Sequence, residues 1–121
     1  MKAKLSILVL ALFGWSLAVN AQVITADPVF PLASDATIIT FNADYGNMGL
    51  KDYAGDDVYA HTGVITDKST SSSDWTYVIA EWNVNLPKAK LTKVSANVYT
   101  LSISPSIREF YGVPASEKIL K

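Results

Sequence analysis

Short runs that alternate apolar and polar residues recur along most of the chain. They are rich in β-branched and aromatic residues and are separated by turn-forming residues, which is typical of half-buried strands. No internal stretch keeps a helical period over several turns. The pattern predicts strands at 37–42, 58–65, 75–80, 90–94 and 98–103.

The last two runs are expected to form a hairpin joined through residues 95–97. Side chains alternate across a strand, so Tyr99, Leu101 and Ile103 share one face of the second arm. We predict that this face is buried.

One short segment predicts a helix, at residues 107–111, with Ser104 as its N-cap and Gly112 at its end. A helix of this length is marginal in water by itself. We therefore expect it to connect strands and to pack Ile107 or Phe110 against the edge of a sandwich.

Many short strands without repeated helices indicate an all-β, immunoglobulin-like β-sandwich. The chain stops at 118–121, where a further strand would begin, so we expect the sandwich to be incomplete at its C-terminus. The predicted organisation is a signal peptide at 1–21, an extended lead-in at 22–36 and a β-sandwich domain at 37–121.

The N-terminus has the three parts of a signal peptide. Lys2 and Lys4 precede an apolar run over 5–19, and Val19-Asn20-Ala21 offers a small-x-small cleavage site. A transmembrane anchor is the alternative, but the run is shorter than the ~20 residues that a bilayer span needs. The product is therefore expected to be secreted or periplasmic, with no membrane association after cleavage.

Composition narrows the possible partners. The chain has no Cys, so an exported product must be stabilised by its core and not by disulfides. Its formal charge is −1 and becomes −3 without Lys2 and Lys4. A slightly acidic chain with no basic cluster argues against a nucleic-acid partner and suits a neutral ligand.

Alternation separates two faces of the run 58–65. One face is small and apolar and is predicted to be core: Val58, Ala60 and Val64. The other face carries Tyr59 and His61, and a hydroxyl-rich loop at 66–74 leads to Trp75 and Tyr77. A flat ring held on a strand is a surface on which a sugar ring stacks. The predicted carbohydrate-binding residues are Tyr59, His61, Trp75 and Tyr77.

Aromatic residues of strands more often pack inside a core, and we expect Trp82 and Tyr99 to do so. A single His is also more often a hydrogen-bonded scaffold residue than a ligand. The sequence offers no paired carboxylates for glycosidic hydrolysis, no metal-ligand spacing and no nucleophile motif. It therefore predicts no catalytic residue, no metal ion and no cofactor.

The segments VYAHTGVIT and PSIREFYGVP are the most specific parts of a similarity that covers nearly all of residues 22–121. This region resembles the β-sandwich domain that precedes the catalytic barrel in secreted bacterial α-amylase-family enzymes. The order Tyr59, His61, loop, Trp75 is also similar to starch-binding modules. The resemblance implies that Tyr59 and Trp75 are stacking platforms. His61 departs from the pattern, because an aromatic ring is often expected at its position.

The resemblance implies a non-catalytic α-glucan (starch)-binding accessory domain, the N-terminal fragment of a secreted α-amylase-type glycoside hydrolase. Its partners would be an α-glucan polysaccharide or oligosaccharide and a downstream catalytic domain in the same parent chain. The alternative is a structural immunoglobulin-like spacer that binds no sugar. Exposure of Tyr59 and Trp75 on one concave patch would favour the first function.

Overall fold

The computed structural model describes residues 22–121, so the predicted signal peptide lies outside the described residues. The strands are β1 (Ile24–Asp27), β2 (Thr37–Asn42), β3 (Thr92–Ser95) and β4 (Val98–Ile103). Helical structure among the described residues is limited to a 3₁₀ turn at Pro87–Ala89 and helix α1 (Ile107–Tyr111). The strands form one antiparallel sheet in the order β1-β2-β4-β3. This confirms the predicted all-β fold. Within 22–121, no helix is both long enough and apolar enough to cross a membrane.

The centre of the sheet is the pairing of β2 with β4, which places Ile39 opposite Leu101 and Phe41 opposite Tyr99. Tyr99, Leu101 and Ile103 are all buried, as the alternation predicted. Together with Val58, Leu91 and Phe110 they form the core, while Ile39 and Phe41 are only partly buried at its margin. The core therefore lies over β4 and thins towards β1.

The hairpin of β3 and β4 is confirmed. Its turn places Asn97 at a φ of 62°, a left-handed conformation that Asn tolerates better than most residues. Strand β1 was not predicted, because its residues fall within the extended lead-in. It pairs with β2 over its whole length, with Ile24 opposite Phe41.

The prediction of regular strands at 58–65 and 75–80 was wrong. These segments pair only through isolated bridges, Tyr59 with Lys90 and Val64 with Thr76. Consecutive residues 64–66 are all buried, which a flat alternating strand does not allow. The second run is broken at Tyr77, whose φ of 52° interrupts the extended backbone.

Helix α1 has its predicted range, but its N-cap is Ser106 and not Ser104. The Ser106 hydroxyl accepts a hydrogen bond from the Glu109 backbone N–H at 3.1 Å. Ser and Glu at this spacing form the capping-box pattern, which specifies the start of the helix better than the proline before it. Gly112 ends the helix at a φ of 71°, as predicted from its lack of a side chain. Phe110 is buried in the core itself and not at the edge of a sandwich as predicted, while Ile107 packs against the core.

The C-terminal residues pair with the irregular segment around residues 65 and 66. Thr66 forms an antiparallel bridge with Ile119, and Leu120 donates its N–H to the Ile65 carbonyl at 2.8 Å. The Arg108 guanidinium donates to the carbonyl of Pro114 at 2.6 Å and to that of Glu117 at 2.8 Å. The segment after α1 is therefore attached at both ends.

Tyr99 provides a test of the core. Its phenol oxygen is buried and has no hydrogen-bond partner among residues 22–121, and such a group costs about 1–3 kcal/mol. Tyr99→Phe should therefore leave the free energy of unfolding unchanged or increase it. Leu101→Ala, at a neighbouring position of the same face, should lower it by about 2–5 kcal/mol. Urea denaturation measures both, and a clear loss in Tyr99→Phe would show that the hydroxyl is bonded.

Candidate functional site

A cleft of about 790 Å³ opens between the inner face of the sheet and the segment 58–62. The sheet contributes the partly buried side chains of Ile39 and Phe41 to its wall. The volume lies in the range of ~300–1,000 Å³ that is usual for ligand sites. The inner-face residues of β4 also line the cleft, as do Met48 and Leu50 of the loop that follows β2.

Two indole rings are grouped around His61. The Trp75 indole stacks on the imidazole, with ring centroids 6.1 Å apart and planes inclined by 30°. The Trp82 indole meets the imidazole edge-on, at 5.1 Å and 88°. Both indoles are largely open to solvent, Trp75 at 51 % and Trp82 at 71 % of their surface. We call His61, Trp75 and Trp82 the aromatic cluster.

The structure brings three of the four predicted site residues to the cleft. Tyr59, His61 and Trp75 all line it. Tyr59 is half-buried and its backbone bridges to Lys90, whereas His61 is exposed. The segment from Tyr59 to His61 also lines a second pocket, of about 130 Å³, and so forms the wall that the two cavities share.

Tyr77 lies elsewhere. Its hydroxyl donates a hydrogen bond to Oε1 of Glu117 at 2.7 Å, while Oε2 of the same carboxylate accepts from the buried Thr66 hydroxyl at 3.1 Å. Strand parity had placed Tyr77 on the same face as Trp75, but the left-handed backbone at Tyr77 removes that parity. In the described chain Tyr77 lines neither cavity and instead attaches the C-terminal segment.

Trp82 was missed by the sequence analysis, which predicted it to be core. Trp82 is the second residue of a turn that closes with a hydrogen bond from the Val84 N–H to the Glu81 carbonyl at 3.0 Å, and Asn83 in the same turn adopts a φ of 68°. A turn carries side chains outward, and this turn directs Trp82 to His61. The Asn after Trp82 was the available signal, because Asn favours such turns.

The polar side of the cleft includes a hydroxyl pair. The Thr62 hydroxyl and the Tyr111 phenol are hydrogen bonded at 2.6 Å, and both residues line the cleft. Burial raises the pKa of Tyr111 above its usual value, and the bond to Thr62 opposes this shift in part. The phenol is therefore neutral at physiological pH and available as a hydrogen-bonding group.

The acidic residues of 44–57 and Asn97 form surface contacts with one another. The Asn97 amide donates to Asp44 at 3.0 Å and to Asp52 at 3.3 Å, and the Asp52 N–H donates to Asn97 at 2.7 Å. Within residues 22–121, no group of three or more His, Cys, Asp or Glu side chains is arranged to hold a metal ion. These contacts close the loop onto the turn of the β3–β4 hairpin.

The contact between Tyr77 and Glu117 shifts the pKa of the Tyr77 phenol. The hydrogen bond to Glu117, together with burial and the carboxylate charge, raises the pKa of Tyr77 above its ordinary 10.0. A raised pKa means that the fold favours the neutral phenol. Its contribution to stability is therefore present below pH 10 and lost as pH rises through the folded-state pKa.

We expect the tyrosinate absorbance titration of the parent minus that of Tyr77→Phe to have its midpoint above 10.0. Glu117→Gln removes the carboxylate charge and should bring this midpoint down towards the ordinary value. A midpoint that is the same with and without the Glu117 carboxylate would contradict the contact.

The chemistry of the site follows from its own residues. In comparisons with known proteins, no family model matches the chain and no curated protein matches it significantly. An exposed indole stacked on a histidine beside an apolar cleft is therefore the feature that a functional proposal has to explain.

Proposed function

We propose that the chain is a non-catalytic accessory domain that binds an α-glucan. The observation that carries the proposal is the exposed Trp75 indole, stacked on His61 at 6.1 Å beside the cleft. An indole held with one face towards solvent is suited to stack on the apolar face of a sugar ring. The similarity of the Tyr59, His61, Trp75 order to starch-binding modules supports an α-glucan as the ligand.

The expected binding is weak at each site. One stacked ring face removes roughly 80 Å² of apolar surface from water, worth about 2 kcal/mol at ~25 cal/mol per Å². With two platforms and a few hydrogen bonds, and after the cost of ordering the ligand, the Kd is about 0.1–1 mM. The Thr62–Tyr111 hydroxyl pair supplies hydrogen-bonding groups inside the cleft.

The finer fold in this proposal is an immunoglobulin-like sandwich, with the four-stranded sheet as one layer. The second layer is irregular and is built from three segments. Val64 exchanges backbone hydrogen bonds with Thr76 at 2.9 and 2.8 Å, and Ile65 pairs with the C-terminal residues on its other side. This arrangement of bridged segments over a sheet supports two facing β layers.

We also propose where the domain acts and which domain follows it. The N-terminal pattern of Lys2, Lys4 and the small-x-small site supports export to the periplasm or beyond. The resemblance to the domain that precedes the barrel of α-amylase-family enzymes supports a downstream catalytic domain in the same parent chain. In this setting the domain would hold substrate near an active site located elsewhere.

A structural spacer is the second candidate function. Tyr77 is bonded to Glu117 and Tyr59 is half-buried in a backbone bridge, so two of the four predicted ligands also hold the fold together. A spacer would use these contacts and leave the aromatic cluster without a ligand. Binding measurements separate the two functions.

Trp75→Ala should abolish retention of the full chain in a starch-containing affinity gel, because it removes the stacking plane. The melting temperature should fall by no more than a few degrees, since the side chain is half exposed. Phe30→Ala is the matched control, because Phe30 is 91 % exposed and lines neither cavity. Equal retention of Trp75→Ala and the parent would refute the proposal and favour the spacer.

A further inference from the structure

The pocket of about 130 Å³ lies against Trp82 and shares its wall, residues 59–61, with the cleft. Its other wall is the turn that carries Glu81, Asn83 and Asn85. At ~30 Å³ per water the pocket has room for about four waters. It is therefore too small for the ~300 Å³ of a drug-sized ligand and suits part of a single ring.

The pocket combines an apolar plane with polar groups at its edge. Trp82 offers an indole that is 71 % exposed. The Glu81 carboxylate accepts hydrogen bonds, and the amide of Asn85 both donates and accepts them. A pyranose has the matching surface, with C–H groups on its faces and hydroxyls around its edge. The Glu81 charge disfavours a phosphate or an acidic sugar, so the chemistry selects a neutral one.

The orientation of the indoles constrains the shape of the ligand. The His61 plane is nearly parallel to Trp75, at 30°, and nearly perpendicular to Trp82, at 88°. The two indole planes are therefore steeply inclined to each other. A ligand in contact with both must bend between them, as α-linked glucans do and flat β-1,4-linked chains do not.

We infer that the pocket beside Trp82 is a second sugar subsite, which binds one pyranose ring of the same α-glucan chain that contacts Trp75. This inference rests on the proposed function and adds Trp82, Glu81 and Asn85 to the site. His61 lies between the two subsites and contacts both indoles. It acts there as a positioning residue that sets the angle of the two platforms.

The test follows the indole N–H resonances of the full chain by NMR during titration with maltoheptaose, with cellohexaose as the flat-chain comparison. Single Trp→Phe variants assign the signals of Trp75 and Trp82. Both signals should shift with one dissociation constant, and cellohexaose should shift them less. Trp82→Ala should weaken maltoheptaose binding about tenfold. Trp82→Phe should retain most of the affinity, and Phe30→Ala should bind as the parent does.

A shift of the Trp75 signal alone, with parent-like binding by Trp82→Ala, would overturn the second subsite and leave the proposed function intact. Equal losses in Trp82→Phe and Trp82→Ala would overturn stacking at Trp82. Absence of any shift, together with no retention of the parent on starch, would overturn the proposed function and the subsite with it. Thermal unfolding monitored by circular dichroism establishes that each variant is folded.

Discussion

Burial of the inner face of the sheet decreases from β4 towards β1, and the candidate site depends on this gradient. Leu101 on β4 is only 3 % exposed, whereas Phe41 on β2 is partly buried and Ile24 on β1 is exposed. All three residues line the cleft, so this face of the sheet is only partly covered. The apolar surface that remains forms one wall of the cleft. Completing the core there would remove the cleft.

His61 departs from the pattern of starch-binding modules, in which an aromatic ring is often expected at its position. In the structure it lies between the two exposed indoles. A larger ring would extend the stacking surface at this position but would crowd Trp82, whose edge contact has a centroid distance of 5.1 Å. The small imidazole instead separates two exposed indoles of different orientation.

The sequence predicted β2 and β4 with their exact ranges. On β4 burial alternates between the two faces, whereas the last four residues of β2 are all partly buried, so its range followed from its β-branched and aromatic composition. Alternation failed as a guide at 58–65, where residues 64–66 are buried in succession. Alternation also failed at Tyr77, which has a positive φ, because only Gly is a dependable sequence signal of that conformation. Of the site, Trp75 and His61 could be predicted from ring chemistry. Trp82 was not predicted, because its exposure results from its place in the turn 81–84, for which the Asn after it was the sequence signal.

The wall shared by the two cavities is held by main-chain hydrogen bonds. Ala60 donates its N–H to the Ala89 carbonyl at 2.8 Å, and Val64 donates to Thr76 at 2.9 Å, on either side of His61. The imidazole is therefore presented from a backbone fixed at both ends, and the indoles pack on it from separate segments. A ligand that meets such a wall has little backbone to order, which lowers the entropy cost of binding. The two indoles thus lie against a wall that main-chain hydrogen bonds fix on both sides of His61, in a part of the described chain that has neither a disulfide nor a long helix.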